Sequence, residues 1–282
     1  MKVTRLGKKI LLTCVMAVMA ISFAGCGKLS AEDVIRKYTE KNLTVDNCEA
    51  TMSLNMEMGS SDSSDTYQFR INSQLQLMKD PDYKAYMKMN MDMGSIGKYD
   101  MDTYIMKDGD QYYTYMYSAN TWMKQALDND VLSEQQDNMN NQLNMDIYIK
   151  NMKNFSLTGE ETVEDKETFK IEGKITGDAL KEVFEQSDVS SLVGTDADDV
   201  DFSSLGDLNV TIWIDKNEFT PVKIYADMAP MMESIMQMQG QKVTIPVCTM
   251  ELVYQGFGTV TDITLPEDAK NAVSIDAIGG DD

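Results

Sequence analysis

The chain has 282 residues, with 46 acidic and 25 basic side chains, a formal net charge of −21 and no histidine. A chain this acidic is not expected to bind nucleic acid, whose phosphates require Lys and Arg, or to lie flat on an anionic lipid surface. The lack of histidine removes the commonest general base, most catalytic triads and most zinc sites.

The first 25 residues have the composition of an export signal. Four basic residues and no acidic one accompany the apolar run 10–23, whose 14 residues are too few to span a bilayer comfortably. The following letters, "FAGC", end at Cys26 and resemble the lipobox of bacterial lipoproteins. That resemblance implies a diacylglycerol or palmitate-type anchor on Cys26 and a place at the extracytoplasmic face of the cell membrane. An ordinary secretory signal with a chance cysteine is the alternative.

Removal of residues 1–25 leaves a mature chain of 257 residues, with 21 basic against 46 acidic side chains and a net charge of −25. This length suits one large domain or two small ones. We predict a single domain over residues 31–275, a short linker at 26–30 and a disordered acidic tail at 276–282.

Two cysteines remain once Cys14 is assigned to the signal and Cys26 to the anchor. An even pair in an exported protein predicts a disulfide between Cys48 and Cys248. Both residues fall on the apolar face of alternating segments. Two free, buried thiols are the alternative.

Residues 30–42 predict a helix that begins at Ser30, a good N-terminal cap. Val34, Ile35 and Tyr38 form its apolar side. The helix starts about four residues after the expected anchor, which places the domain within roughly 15 Å of the membrane.

Four segments with alternating apolar and polar residues follow, over residues 48–58, 67–77, 87–93 and 99–105. A period of two indicates half-buried strands. Polar turns at 79–83 and 107–111 join them, so we predict an antiparallel meander. Because each segment has one polar face, the sheet is expected to be open and covered on one side.

The covered face of these segments is rich in methionine. Its candidate groove residues are Met52, Leu54, Met56, Tyr67, Phe69, Met87, Met89, Met91, Tyr99 and Met101. Methionine is a flexible core filler, so one interpretation is a face packed against helices. The other is a pliable apolar groove that accepts varied hydrophobic ligands, with Tyr99, Tyr113 and Tyr115 at its rim.

The second half of the chain predicts three helices, three strand regions and an acidic loop. The helices are expected over 133–152, 178–186 and 228–240, and the strands over 167–175, 208–228 and 242–257. Ser133 and Gln136 suit a capping box at the first helix. The acidic segment 188–207 is expected to be a mobile surface loop, with a weak cation site as the alternative, although the spacing of a calcium loop is absent.

Three stretches resemble the LolA-like and LppX-like lipoproteins: residues 104–125, 212–224 and 263–272. The residues that carry the resemblance are Trp122, Lys124, Trp213, Ile214, Asp215, Pro221, Val222 and Lys223. The resemblance covers residues 30–275 and implies an α+β fold, in which a curved antiparallel sheet, a half-barrel, wraps around several helices. Known members carry or sense lipids and lipidated proteins, so it also implies a ligand of that kind.

The leading hypothesis is a lipid-anchored extracytoplasmic protein that holds a lipid or acyl chain in the methionine-rich groove, without cofactor or metal. An envelope sensor or scaffold with a filled core, which binds other proteins, is the alternative. A third hypothesis is the solute receptor of a transporter, a class that needs two α/β lobes with parallel strands. No nucleophile elbow, P-loop or dinucleotide fingerprint is present, so we do not predict an enzyme.

Overall fold

The computed structural model describes residues 29–41, 46–60, 66–143, 145–186 and 200–275. The predicted signal, Cys26 and the tail 276–282 lie outside these ranges. The strands of the described parts are β1 (Asn47–Ser60), β2 (Thr66–Met78), β3 (Lys84–Asp92), β4 (Lys98–Asp108), β5 (Gln111–Ser118), β6 (Thr121–Leu127), β7 (Lys153–Val163), β8 (Lys166–Ile175), β9 (Leu208–Asp215), β10 (Pro221–Asp227), β11 (Val243–Phe257) and β12 (Val273–Ser274). The helices are α1 (Ala31–Glu40), α2 (Asn129–Leu143), α3 (Asp146–Asn151), α4 (Asp178–Gln186) and α5 (Ala229–Met238).

The strands form one open, curved sheet in the order β12-β6-β5-β4-β3-β2-β1-β11-β10-β9-β8-β7. Two antiparallel meanders, β1 to β6 and β7 to β11, meet where β1 pairs with β11. In the described parts of the chain, the short β12 is the one strand that pairs in parallel, with β6. The predicted α+β class and the antiparallel sheet around helices are therefore confirmed.

Helices cover one face of the sheet, which we call the inner face. The Tyr254 hydroxyl on β11 donates to the carbonyl of Leu143 at the end of α2, at 2.7 Å. The hydroxyl of Tyr148 on α3 lies 3.8 Å from the sulfur of Met250, also on β11. The Tyr38 hydroxyl donates to Asp146 at 2.7 Å and ties α1 to α3. Buried tyrosines need partners for their hydroxyls, and these bonds fix the helices over the centre of the sheet.

The first predicted helix is confirmed, and its capping box is formed by Ser30 and Asp33. The predicted start of the second at Ser133 is wrong. Helix α2 begins four residues earlier, at Asn129, because the buried Leu132 anchors the first turn and its N–H donates to Asp128 at 2.8 Å. The predicted continuous helix also divides, since α2 ends at Leu143 and α3 begins at Asp146.

Part of the predicted mobile acidic loop is packed against the core. Residues 200–207 contain Phe202 and Leu205, both of which are buried in the main hydrophobic cluster. Two apolar anchors thus hold this end of the acidic segment, against the prediction of a mobile loop throughout. The remainder, residues 187–199, lies outside the described residues.

The predicted Cys48–Cys248 disulfide is contradicted, because both thiols are free and buried. Both side chains do lie on the inner face, on the adjacent strands β1 and β11. However, Cys48 pairs with Phe257 whereas Cys248 pairs with Met56, eight residues further along β1. At about 3.3 Å per residue the offset is roughly 26 Å, and a disulfide needs Cα atoms within about 7 Å.

The C-terminal residues after β11 cover part of the opposite, outer face. Val260 and Ile263 pack against Met78, and the rings of Tyr86 and Tyr104 lie beside them. This segment gives the outer face of the first meander a small apolar cluster of its own.

None of the described helices is long and apolar enough to cross a membrane.

Candidate ligand cavity

Burial on the inner face changes along the strands of the first meander. On β2 the exposed fraction is 0% at Leu77, 1% at Leu75, 8% at Ile71 and 55% at Tyr67. On β4 it likewise rises toward Tyr99, at 47%. We call the end of the sheet where β1 finishes and β2 starts the open end, because the exposure of the inner-face side chains rises toward it, and we call the opposite end the closed end.

A cavity of about 300 Å³ lies at the open end, between β1, β2, β11, helix α5 and the turn that joins β3 to β4. Most of its lining is apolar. The lining residues are Leu54, Met56, Met58, Tyr67, Gln68, Phe69, Met93, Ile96, Met228, Met232 and Cys248. The sheet provides one wall, because alternation sends Leu54, Met56 and Met58 to the same side of β1.

Helix α5 forms the wall opposite the sheet and is held by two hydrogen bonds. The N–H of Met228 donates to the carbonyl of Cys248 at 2.7 Å, and the N–H of Ile245 donates to the Glu233 carboxylate at 2.7 Å. Pro230 lies in the first turn of α5, as predicted, where its missing N–H costs nothing. The two bonds fix the helix against β11, so Met228 and Met232 face the cavity from a defined position.

The turn between β3 and β4 closes one side of the cavity. The N–H of Met93 donates to the carbonyl of Gly97 at 2.9 Å, and Gly94 has a φ of +60°. A Cβ on Gly94 would lie 3.3 Å from the carbonyl oxygen of Gln68 on β2. Glycine therefore lets the turn rest against β2 and bring Met93 and Ile96 to the cavity.

Polar groups are confined to the mouth of the cavity. The Gln68 amide donates to Glu57 at 2.9 Å and accepts from Arg70 at 3.0 Å. Tyr67 is half exposed beside it. None of the eleven lining residues has a charged side chain, so the cavity has no strong preference for the charge of a ligand's polar group.

Four of the ten predicted groove residues line this cavity: Leu54, Met56, Tyr67 and Phe69. The strand pairing places the others on the same face, as predicted. Met52, Met87, Met89 and Met91 are half-buried against the core cluster, Met101 is half-buried and Tyr99 is exposed. The tyrosine rim is wrong for Tyr113 and Tyr115. Both follow Tyr104 onto the outer face, because Tyr115 pairs directly with Tyr104.

Seven lining residues were not selected from the sequence: Met58, Gln68, Met93, Ile96, Met228, Met232 and Cys248. The alternation already placed Met58, Met93 and Cys248 on the covered face. Met228 and Met232 belong to the apolar stripe of the predicted helix. Nothing in the sequence indicated which helix would face which end of the sheet.

Burial controls the chemistry of the two thiols. It raises the pKa of Cys248 to about 11, with a smaller contribution from the negative charge of Asp227. Burial also raises the pKa of Cys48 to about 12. Both are protonated at neutral pH and are poor nucleophiles there, because the thiolate is the reactive form. Among the residues described, no three His, Cys, Asp or Glu side chains group together as a metal site.

A second cavity, of about 380 Å³, is polar and lies between the 79–83 turn and α2. Lys79, Asp82, Asp137 and Asn140 are among its lining residues. Two of these charges are already paired, Lys79 with Asp46 and Asp82 with Lys107, at 2.9 and 3.3 Å. Its lining suits hydration, whereas the lining of the first cavity does not.

A family model described as "Family of unknown function (DUF6612)" matches residues 30–274. No curated protein matches the sequence. Among solved structures, the chain is similar to the lipoprotein LppX of Mycobacterium tuberculosis, with 12% identity, 82% of this chain and 96% of that chain covered, and a TM-score of 0.41.

The chain is also similar to LprF from Mycobacterium bovis, with 10% identity, 85% of this chain and 99% of that chain covered, and a TM-score of 0.49. A domain from Vibrio parahaemolyticus, described as an outer membrane lipoprotein-sorting protein domain, matches with 12% identity, coverage of 85% and 95%, and a TM-score of 0.23. The resemblance predicted from the sequence is thus found again, and it concerns the fold alone.

Proposed function

The chain belongs to the DUF6612 family, whose function is unknown, and we propose that it is an extracytoplasmic binding protein that holds one hydrophobic chain in the cavity at the open end. One observation carries this proposal. Protein interiors are close-packed, with few voids larger than a water molecule, yet about 300 Å³ of apolar space is left beneath the sheet. Its mouth lies at the exposed end of the strands.

The size and lining of the cavity define the ligand class that we propose. Small-molecule pockets range from about 300 to 1,000 Å³, so this one is at the lower end. It suits a single acyl or alkyl chain better than a complete two-chain lipid. The polar part of such a ligand would remain at the mouth, beside Tyr67 and Gln68.

Affinity for straight-chain fatty acids is expected to rise with chain length and then level off. Each CH₂ that leaves water contributes about 0.8 kcal/mol, which is roughly a fourfold change in Kd. The measurement is displacement of a fluorescent fatty acid from a soluble form that lacks residues 1–26. The plateau reports the length of chain that the cavity accepts.

Fatty alcohols of the same lengths are the matched control. Since the cavity has no strong charge preference, the alcohols should follow the acids within a few-fold. Affinities that do not depend on chain length, or no displacement of the probe by any chain, would reject the proposed function.

The membrane anchor is a further proposal, because Cys26 lies outside the described residues. Replacement of Cys26 by Ala should move the protein from the membrane fraction to the soluble fraction and abolish labelling with an alkyne fatty acid. Two acyl chains hold a protein firmly at a membrane, whereas a variant without acyl chains loses that attachment. A variant that is still labelled and still sediments with membranes would show that the anchor is elsewhere.

A protein-binding role is the second candidate, and exposed apolar side chains favour it. Tyr67, Ile96 and Tyr99 are about half exposed or more, and Tyr67 and Ile96 lie at the mouth of the cavity. Exposed apolar groups that cluster in this way are typical of contact surfaces. The solute-receptor hypothesis is not supported, because the described residues form one sheet, antiparallel except for β12, instead of two α/β lobes.

A further inference from the structure

The cavity at the open end is lined by sulfur as well as by hydrocarbon. Five thioethers and one thiol contribute to it, those of Met56, Met58, Met93, Met228, Met232 and Cys248. Tyr67 and Gln68, at the mouth, are the lining residues that carry oxygen or nitrogen in their side chains. No carboxylate is among the lining residues, although acidic side chains are abundant in the chain.

The fold brings four of these sulfur-bearing residues together from three elements. Met56 on β1 and Cys248 on β11 are direct partners in the sheet, which places their Cβ atoms about 4.5–5.5 Å apart. Met228 is bonded to the backbone of Cys248, and Met232 lies one helical turn further along α5, on the same side. Cys248 thus has one methionine beside it in the sheet, and two more line the same cavity from the segment that is bonded to its backbone.

We propose that this sulfur-lined cavity binds a soft monovalent metal ion, Cu(I), for which Ag(I) is an analogue. Thiolate and thioether ligands select Cu(I), whereas Mg²⁺ and Ca²⁺ require oxygen. The ligand set is Cys248 with two or three of the methionines Met56, Met228 and Met232. This departs from the expectation, drawn from the sequence, that the chain holds no metal.

Charge favours a monovalent ion in this setting. An isolated charge is costly in an apolar cavity, but Cu⁺ together with the thiolate of Cys248 is neutral overall. The metal displaces the thiol proton to solvent, so one proton is released for each ion bound through Cys248. The oxidation state of copper does not change, and no reductant is consumed in the binding step.

The proposal of a metal site does not depend on the proposal of an acyl ligand, although both ligands would occupy the same cavity. The two ligands should therefore compete, because a chain that fills about 300 Å³ leaves no room for the ion among the same side chains. A protein that binds Cu(I) but no alkyl chain would overturn the proposed function and leave this inference intact. Alkyl binding without Cu(I) binding would do the reverse.

The test is withdrawal of Cu(I) from the coloured bathocuproine disulfonate complex by the full-length protein, in detergent and without oxygen. We expect one equivalent to be withdrawn. Cys248→Ser should weaken binding at least 100-fold, and Met232→Leu, which conserves volume, about tenfold. Cys48→Ser and Met89→Leu are the matched controls, because both residues lie on the inner face but outside the cavity lining, and they should bind as the parent does.

The pH dependence gives a second readout that a loss of folding would not produce. Because Cys248 must lose its proton to bind the metal, and a free thiol is protonated near neutrality, affinity should rise about tenfold per pH unit there in the parent and stay flat in Cys248→Ser. Failure of the parent to withdraw Cu(I) would overturn the proposal. Equal losses in Cys48→Ser and Cys248→Ser would overturn it too.

Discussion

Replacement of Met232 by tryptophan is expected to abolish alkyl-chain binding, with a loss of about 100-fold or more in affinity. Met232 faces the cavity from helix α5, and an indole there occupies space that the chain would otherwise fill. A 100-fold loss corresponds to about 2.7 kcal/mol, the burial of three or four CH₂ groups. Because the larger side chain enters an existing void, the melting temperature should stay close to that of the parent or rise.

The matched control is Met238→Trp on the same helix. Met238 is 50% exposed and does not line the cavity. The same chemical change there should leave both the affinity and the melting temperature unaltered. If Met232→Trp binds the probe as tightly as the parent does, the ligand lies elsewhere. If both tryptophan variants lose binding, the effect is not one of cavity volume.

The alternation of apolar and polar residues predicted the strands of the first meander because each strand has one face toward water and the other toward the core. One face of β2 carries Gln68, Arg70 and Asn72 and the other carries Phe69 and Ile71, so a register error would expose the whole apolar set. The same rule placed the six methionines of the candidate groove on the correct face. The face on which a side chain lies follows from its immediate neighbours along the chain, so it can be predicted from the sequence.

The position of a residue along a strand is not local information. Cys48 and Cys248 share a face and adjacent strands, yet register separates them by eight residues. The cavity escaped prediction for the same reason. The cavity depends on where α2 and α5 end over the sheet. Those positions are determined by bonds between residues that are distant in sequence, such as the bond from Tyr254 to Leu143. Periodicity does not contain such contacts.

The residues that carry the resemblance to lipoproteins have structural roles in this fold. The carboxylate of Asp215 accepts from the N–H groups of Asn217 and Glu218, at 2.7 and 2.8 Å, and so shapes the β9–β10 turn. Trp213 lies on the outer face between Lys170 and Lys223, and its indole N–H donates to Glu161. These motifs predicted the fold well. They are remote from the cavity and do not specify the ligand.

The choice of residue along the inner face follows its burial. Small or branched side chains, such as those of Ala50, Leu75 and Leu77, occupy the closed end, where packing is complete. Met87, Met89 and Met91 occupy the partly covered stretch, where an unbranched side chain adapts to an irregular boundary. The run of alternating methionines in β3 is thus explained by a face that is half closed.

This gradient predicts very different costs for the same substitution at two positions of one face. Leu75→Lys should lower the free energy of unfolding by about 4 kcal/mol or more, since Leu75 is 1% exposed and an ammonium there is buried without a partner. Met89→Lys should cost about 1–2 kcal/mol, because a lysine at a half-buried site can extend its charge to water. Urea denaturation of both variants measures the difference.

Asn72→Lys is the control for the added charge, because Asn72 is exposed on the outer face of the same strand as Leu75. It should stay within about 0.5 kcal/mol of the parent. A loss at Met89 as large as that at Leu75 would mean that helices fill the inner face along its whole length. An open end, and with it the route by which a chain could enter the cavity, would then not exist. A small loss at Met89 beside a large one at Leu75 requires that water reaches the methionines, which is the condition for any ligand to do so.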